Sequence, residues 1–146
     1  MRAPRVGLAL VAAAQAEVGL WGLVAPRSFF DDFPGAGHHW VVALGVYNQH
    51  LVRDYAATEL GFAVLMAGAA IWFSRRIVLI AGSAFIAATL PHFIYHLTTT
   101  TGSYSTADNL ASLGSFVLEL VLVAVAMVAV TRPETERTVD VTTASS

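Results

Sequence analysis

The most informative feature of the sequence is the alternation of long apolar runs with short polar segments. Each run is about 20 residues long, the length that an α-helix needs to cross the ~30 Å hydrocarbon core of a bilayer. The runs cover residues 6–25, 51–73, 77–97 and 110–130. The pattern predicts an all-α integral membrane protein, a four-helix bundle formed by one transmembrane domain over residues 1–131.

The connections between the runs carry turn and cap signals. The segment "PRSFFDDFPGAGHHW" after the first run mixes aromatic and acidic residues with Pro34 and two glycines, which favours an interfacial segment or a short re-entrant turn. One helix over residues 40–73 would be about 51 Å long, so we expect a break near Asn48. Ser105 or Thr106 is a candidate N-cap for the last helix. Residues 132–146 lack apolar periodicity and are predicted to form a disordered cytoplasmic tail.

Composition supports a membrane protein and excludes several classes of site. Of the 146 residues, 56% are hydrophobic and only 12% are charged, too apolar a balance for a soluble domain of this length. The chain has no cysteine, which excludes disulfides, thiolate metal ligands and cysteine nucleophiles. A net charge of −2 gives no basic patch, so we expect no nucleic-acid partner. The sequence contains neither a Gly-x-Ser-x-Gly motif nor a phosphate-binding glycine loop.

Arginines near the ends of the runs are placed asymmetrically. They precede the first run, separate the second from the third and follow the fourth: Arg2, Arg5, Arg75, Arg76, Arg132 and Arg137. Two exceptions, Arg27 and Arg53, flank the first outer connection. Because basic residues favour cytoplasmic loops, we predict a multi-pass protein of the inner membrane with both termini in the cytoplasm.

The N-terminal stretch "MRAPRVGLALVAAAQAEVG" also fits a secretory signal peptide with a small-residue cleavage site. The apolar run, however, continues past Glu17 through "VGLWGLVA". We therefore expect the first span to remain uncleaved.

Ionisable residues within the spans are confined to the outer half of the predicted bundle. Counted from the outer ends at ~1.5 Å per residue, Glu17 and Glu59 lie about 12 Å deep, Glu119 about 14 Å and His92 about 7 Å. His96 lies near the outer surface. Charged groups inside a membrane usually face a bundle interior and find partners. We therefore predict one polar ligand pocket, open to the extracytoplasmic side, and its candidate residues are Glu17, His50, Asp54, Glu59, His92, His96, Asp108 and Glu119.

The histidines of "LPHFIYHL" are the candidate metal ligands. His92 and His96 are four residues apart and project from one helical face. Helical bundles hold transition metals with imidazoles and with carboxylates from neighbouring helices. The alternative is a structural pair at the membrane interface. For the three glutamates, the alternative is an interhelical hydrogen-bond network.

Small residues at four-residue spacing are candidates for close helix contacts, because in lipid it is packing that joins helices. The pairs are Ala63 and Ala67, Ala84 and Ala88, and Ala111 and Ser115.

Two segments, "WGLVAPRSFF" and "RDYAATELGFAVLMAGAA", resemble the DoxX-like group of small four-helix bacterial membrane proteins. The resemblance covers about the first half of the chain. It implies a compact four-helix bundle, often an accessory subunit, linked in some members to quinone-dependent redox chemistry. No catalytic residue is carried over from it.

These observations predict a small membrane protein whose outer pocket binds a small ligand, a metal ion or a proton-coupled substrate. A transition metal, haem or a quinone is the candidate cofactor. The alternative is a non-catalytic accessory subunit of a larger membrane complex, with structural polar residues. The expected partners are the lipid bilayer and either further copies of the chain or a membrane-complex partner. A transporter or channel is disfavoured, because the apolar inner half offers ions no path.

Overall fold

The computed structural model describes residues 2–99 and 104–132. Four long helices are present in this part of the chain, and each is long and apolar enough to cross a membrane by length and composition. They are α1 (Arg2–Val24), α3 (Gln49–Trp72), α4 (Arg75–Thr98) and α5 (Thr106–Thr131), with a short helix α2 (Pro26–Asp32) after the first. The all-α fold and the four apolar helices predicted from the sequence are confirmed. The predicted disordered tail lies, after Arg132, outside the described residues.

The helices begin where polar side chains satisfy their first backbone N–H groups. The side chains of Asn48, Ser74 and Ser105 accept hydrogen bonds from the third residue that follows each of them. Such caps satisfy donors that have no partner within the helix. The predicted break near Asn48 and the predicted N-cap at Ser105 are both confirmed.

The four long helices form a ring in which α1 and α4 lie diagonally opposite. Helix α1 packs against α3 and α5, and α4 packs against the same two helices. Consecutive long helices run antiparallel. In α3 and α4, for example, the side chain of Tyr55 contacts His92 and that of Phe62 contacts Phe85.

The half of the bundle near the chain termini is filled by apolar side chains from all four long helices. Among the fully buried ones are Leu8, Met66, Val78, Phe85 and Val123. This half carries no buried ionisable residue in the described segments. Glu59 and Glu119, which line a cavity, lie in the other half of the bundle.

The closest helix approach joins α1 to α3 through glycines. A Cβ placed on Gly19 would lie 2.7 Å from the backbone nitrogen of Leu60, and one on Gly22 would lie 2.6 Å from Cβ of Ala56. Only glycine allows such a short backbone separation. Of the small-residue pairs predicted for this role, Ala63 is buried, whereas Ala84, Ala88, Ala111 and Ser115 are exposed. The prediction was wrong for the last two pairs.

Residues 26–48 cover the end of the bundle remote from the termini, called here the capped end. After α2 come two short antiparallel strands, β1 (Pro34–Gly35) and β2 (His38–His39), and a 3₁₀ turn over Val42–Leu44. Phe29 and Phe30 of α2 are buried and pack with Val52 in a second apolar cluster. The predicted interfacial segment is therefore an ordered cap that forms one wall of the space beneath it.

Candidate functional site

A cavity of about 610 Å³ lies under the cap, between the halves of the four long helices nearest the capped end. Much of its wall is aromatic. The aromatic lining residues are Phe29, Phe30, Phe33, Trp40, Tyr55, Phe62, Tyr104 and Phe116. Such walls suit the apolar body of an organic ligand.

Each of the four long helices contributes at least one strongly polar side chain to the cavity lining. Gln15 comes from α1, Glu59 from α3, His92 from α4 and Glu119 from α5. Smaller hydroxyl groups, Asn48 and His96 complete the polar lining. A few polar groups that converge in a mostly apolar cavity are typical of ligand-binding sites.

The carboxyl groups of the site are linked to their neighbours. Gln15 donates a hydrogen bond from Nε2 to Oε1 of Glu119, 3.0 Å away. The carboxyls of Glu59 and Glu119 lie close enough to interact electrostatically. Tyr55, one turn before Glu59 on α3, lines the cavity beside it. The two carboxyls, called here the Glu59–Glu119 pair, face the same cavity from α3 and α5.

The two histidines of α4 form a contacting pair. Nε2 of His96 lies 3.1 Å from Nε2 of His92, which requires that one nitrogen donates and the other accepts. Phe116 packs against both rings, with centroid distances of 5.0 Å to His92 and 5.3 Å to His96. The ring of Tyr55 meets His92 edge to face. The pair is thus held in place from α3 and α5.

The metal hypothesis for this pair stays a prediction. In residues 2–99 and 104–132 no group of three or more His, Asp or Glu side chains is arranged to hold a metal ion. A metal on His92 and His96 would therefore need further ligands from a bound molecule or water. Elemental analysis of the purified protein and of a His92→Ala/His96→Ala double variant tests it directly.

The structure brings together only part of the predicted pocket. Glu59, His92, His96 and Glu119 line the cavity. Glu17 is exposed on the outer face of α1. His50 and Asp54 are exposed as well, with side chains 87% and 62% accessible, and they pair with each other over 3.1 Å.

Helix geometry explains these differences. Glu17 is two residues after Gln15, about 200° around the helix, so the two side chains cannot both face the cavity. Likewise, His50 is about 180° from Glu59 on α3. Depth along a helix does not specify the angular position of a side chain about the helix axis. Residues at suitable depths can therefore face away from the site.

Asp108 does not line the cavity and instead joins the cap to the start of α5. Its Oδ1 accepts a hydrogen bond from Nε1 of Trp40 at 2.9 Å and contacts Nδ1 of His38 at 2.5 Å. Its Oδ2 accepts from the hydroxyl of Ser105 at 2.6 Å. Asp108 therefore positions Trp40, which lines the cavity, although Asp108 itself does not line it.

Tyr104, which immediately precedes the Ser105 cap, holds Trp40 from a second direction. Its hydroxyl donates a hydrogen bond to the backbone oxygen of Trp40 at 2.5 Å. Burial, and after it the charge of Asp108, raises the pKa of Tyr104 to about 12. The hydroxyl therefore stays protonated and remains a donor at physiological pH.

Sequence reasoning missed Gln15 and the aromatic walls. Gln15 is the only amide in the first apolar run, and a search restricted to ionisable side chains passes over it. The signal was present, because Gln15 continues the face formed by Leu8, Val11 and Ala12, three and four residues apart. Phe29 and Phe30 carried no such signal, since their burial depends on how α2 folds back over the bundle.

Comparison of the chain with known proteins gives no matching family model, no similar curated protein and no similar solved structure.

Proposed function

We propose that this protein is a four-span membrane protein that binds a small, mainly apolar organic molecule in the cavity of its outer half. The observation that carries the proposal is the convergence of Gln15, Glu59, His92 and Glu119, one from each long helix, on an aromatic-walled cavity. Its volume of about 610 Å³ falls within the range of about 300–1,000 Å³ that ligand pockets usually have. The aromatic walls hold the body of the ligand, and the polar groups fix its orientation.

The proposed topology places both termini in the cytoplasm and the capped end on the extracytoplasmic side. It is supported by the four apolar helices and by the arginines near the end of the bundle that carries the termini. The absence of cysteine makes the test simple. In intact cells a membrane-impermeant maleimide should label an Ala36→Cys variant, and it should label a Thr131→Cys variant only after lysis. The reverse pattern would contradict the orientation.

Ligand binding is tested on protein purified in lipid nanodiscs. Small molecules retained by the wild type are extracted and identified by mass spectrometry. A panel that includes quinones is titrated in a Trp21→Phe/Trp72→Phe background, in which the tryptophan fluorescence comes from Trp40 alone. His92→Ala should weaken binding at least tenfold, because His92 lines the cavity. His50→Ala is the matched control, since that histidine is exposed. Equal affinity of the His92→Ala variant and the wild type for every bound molecule would contradict the proposal.

A second candidate function is that of an accessory subunit in a larger membrane complex. Glu17 favours it, because this carboxyl is exposed on the outer face of α1, about 10 Å from the end of the helix. A polar group facing lipid is unfavourable and usually acquires a protein partner. Crosslinking from position 17 in native membranes, followed by mass spectrometry, distinguishes a partner protein or a second copy of the chain from bare lipid.

A further inference from the structure

We infer that the molecule bound in this cavity is a lipophilic organic cation, and that it binds in exchange for a proton released by the Glu59–Glu119 pair. The inference rests on the proposed ligand-binding function and names the ligand class. Two features of the cavity support it: its charges, with two carboxyls and no arginine or lysine among the described lining residues, and its aromatic walls.

The charges of the cavity favour a positive ligand. Two carboxyls face it, and among the described residues that line it none is an arginine or lysine. The other titratable groups that face the carboxyls are Tyr55 on α3, His92 and His96 on α4, and Tyr104 before α5. Helix α1 contributes the neutral Gln15, and α2 contributes only apolar rings. An anionic molecule would meet two acidic groups and no permanent positive charge.

The aromatic walls favour the same ligand class. Ring faces carry a negative quadrupole that attracts organic cations, and several rings around one site are typical of quaternary ammonium recognition. Rings enter the cavity from different directions, with Trp40 from the cap, Phe62 from α3 and Phe116 from α5. They also provide the apolar surface that a lipophilic body requires.

Charge balance explains why a proton should leave. An ionised carboxylate without a positively charged partner is unfavourable in an apolar environment, so the protonated form of these carboxyls is favoured until a cation binds. When a cation enters, one carboxyl O–H bond breaks, its proton passes to water, and the carboxylate pairs with the cation. The net charge of the cavity is the same before and after. Gln15 remains bonded to Glu119 and keeps that carboxyl oriented.

The test compares two ions of nearly the same shape and opposite charge, tetraphenylphosphonium and tetraphenylborate. Each is titrated into the protein in neutral-lipid nanodiscs by calorimetry between pH 6 and pH 8, in buffers of different ionisation enthalpy. We expect tetraphenylphosphonium to bind with release of about one proton and to bind more tightly at higher pH, by up to about tenfold per pH unit. Tetraphenylborate should bind at least tenfold more weakly.

Two variants test which carboxyls release the proton when the cation binds. The Glu59→Gln/Glu119→Gln double variant retains the shape of the site and an acceptor for Gln15, and it should lose both proton release and at least tenfold in affinity for tetraphenylphosphonium. Glu17→Gln, which removes a carboxyl from the exposed face of α1, should behave like the wild type. Circular dichroism and thermal unfolding verify that both variants fold.

The possible results separate this inference from the function on which it rests. Equal affinity for the two ions, binding without proton release, or equal losses in the Glu17→Gln variant would overturn the inference. If neither ion binds while a neutral molecule such as a quinone analogue does, the cation inference fails and the ligand-binding function stands. If no probe binds and no molecule is retained, both fail.

Discussion

The side-chain amide of Gln15 on α1 donates a hydrogen bond to the carboxyl of Glu119 on α5, over 3.0 Å. These residues are 104 positions apart in the sequence, and their contact defines one edge of the cavity. Because Gln15 is buried, its amide depends on Glu119 as a partner. The bond therefore couples the packing of α1 and α5 to the polarity of the site.

Replacing Gln15 by leucine should destabilise the protein by about 1 kcal/mol, since Glu119 loses a hydrogen-bond donor in a mainly apolar environment. Thermal unfolding in detergent, followed by circular dichroism, measures the change. Gln49→Leu is the control, because Gln49 is exposed at the first turn of α3. Equal shifts for the two variants would show that the Gln15–Glu119 bond contributes nothing specific.

The close approach of α1 and α3 predicts a strong contrast between two glycine substitutions. A methyl group at Gly19 would lie within 2.9 Å of backbone atoms of α3, which cannot move aside as a side chain can. Gly19→Ala should therefore cost about 1–3 kcal/mol of stability through overpacking. Gly61→Ala, where an added Cβ meets nothing within 4 Å, should cause no loss. Thermal unfolding of the two variants checks this, and similar melting temperatures would contradict the observed helix contact.

The bond between Trp40 and Asp108 predicts that the cap loosens when the indole N–H is removed. In Trp40→Phe, backbone amides of residues 33–44 should exchange with deuterium several times faster, because the cap loses its 2.9 Å link to α5. Hydrogen–deuterium exchange with mass spectrometry resolves this segment. Trp72→Phe, at an indole 67% exposed near the other end of the bundle, should leave the segment unchanged. Unaltered exchange in the Trp40 variant would mean that the Trp40–Asp108 bond does not retain the cap.

The raised pKa of Tyr104 predicts that the stability of the folded protein depends on pH in the alkaline range. Its pKa is raised to about 12 from an ordinary 10.0, mainly by burial. A raised pKa in the folded state means that the contribution of this group to stability is fully present below pH 10.0 and is lost as the pH rises towards 12. Phenolate absorbance at 295 nm, compared between the wild type and Tyr104→Phe, measures the titration. A difference spectrum that titrates near pH 10.0 would contradict the burial of this hydroxyl.

The sequence predicted the helices well because their signals are local. Apolar length alone indicates the four long helices, and the caps at Asn48 and Ser105 depend on side chains that bond to a backbone nitrogen three residues away. The sequence also showed that acidic and imidazole groups are confined to one half of the long helices. Four of them line the cavity in that half: Glu59, His92, His96 and Glu119.

The angular position of each residue was predicted less well. Glu17, His50 and Asp54 have suitable depths along their helices and yet face outward. Which face of α1 turns inward is decided by the contact of Gly19 and Gly22 with α3, and Gln15 lies on that face. The interacting residues of α3 are about 40 positions further along the chain, so no local pattern of α1 specifies the contact.

By itself, then, the sequence determined the lengths, the ends and the polarity gradient of the helices, because these depend on neighbours within one or two turns. Only the tertiary structure decided which polar side chains meet and what surrounds them. The pairing of Gln15 with Glu119, the packing of Phe116 against two histidines and the folding of Phe29 over the cavity join distant segments. Such contacts depend on the rotation and separation of packed helices, which the complementary shapes of glycine and large side chains determine when the whole bundle assembles.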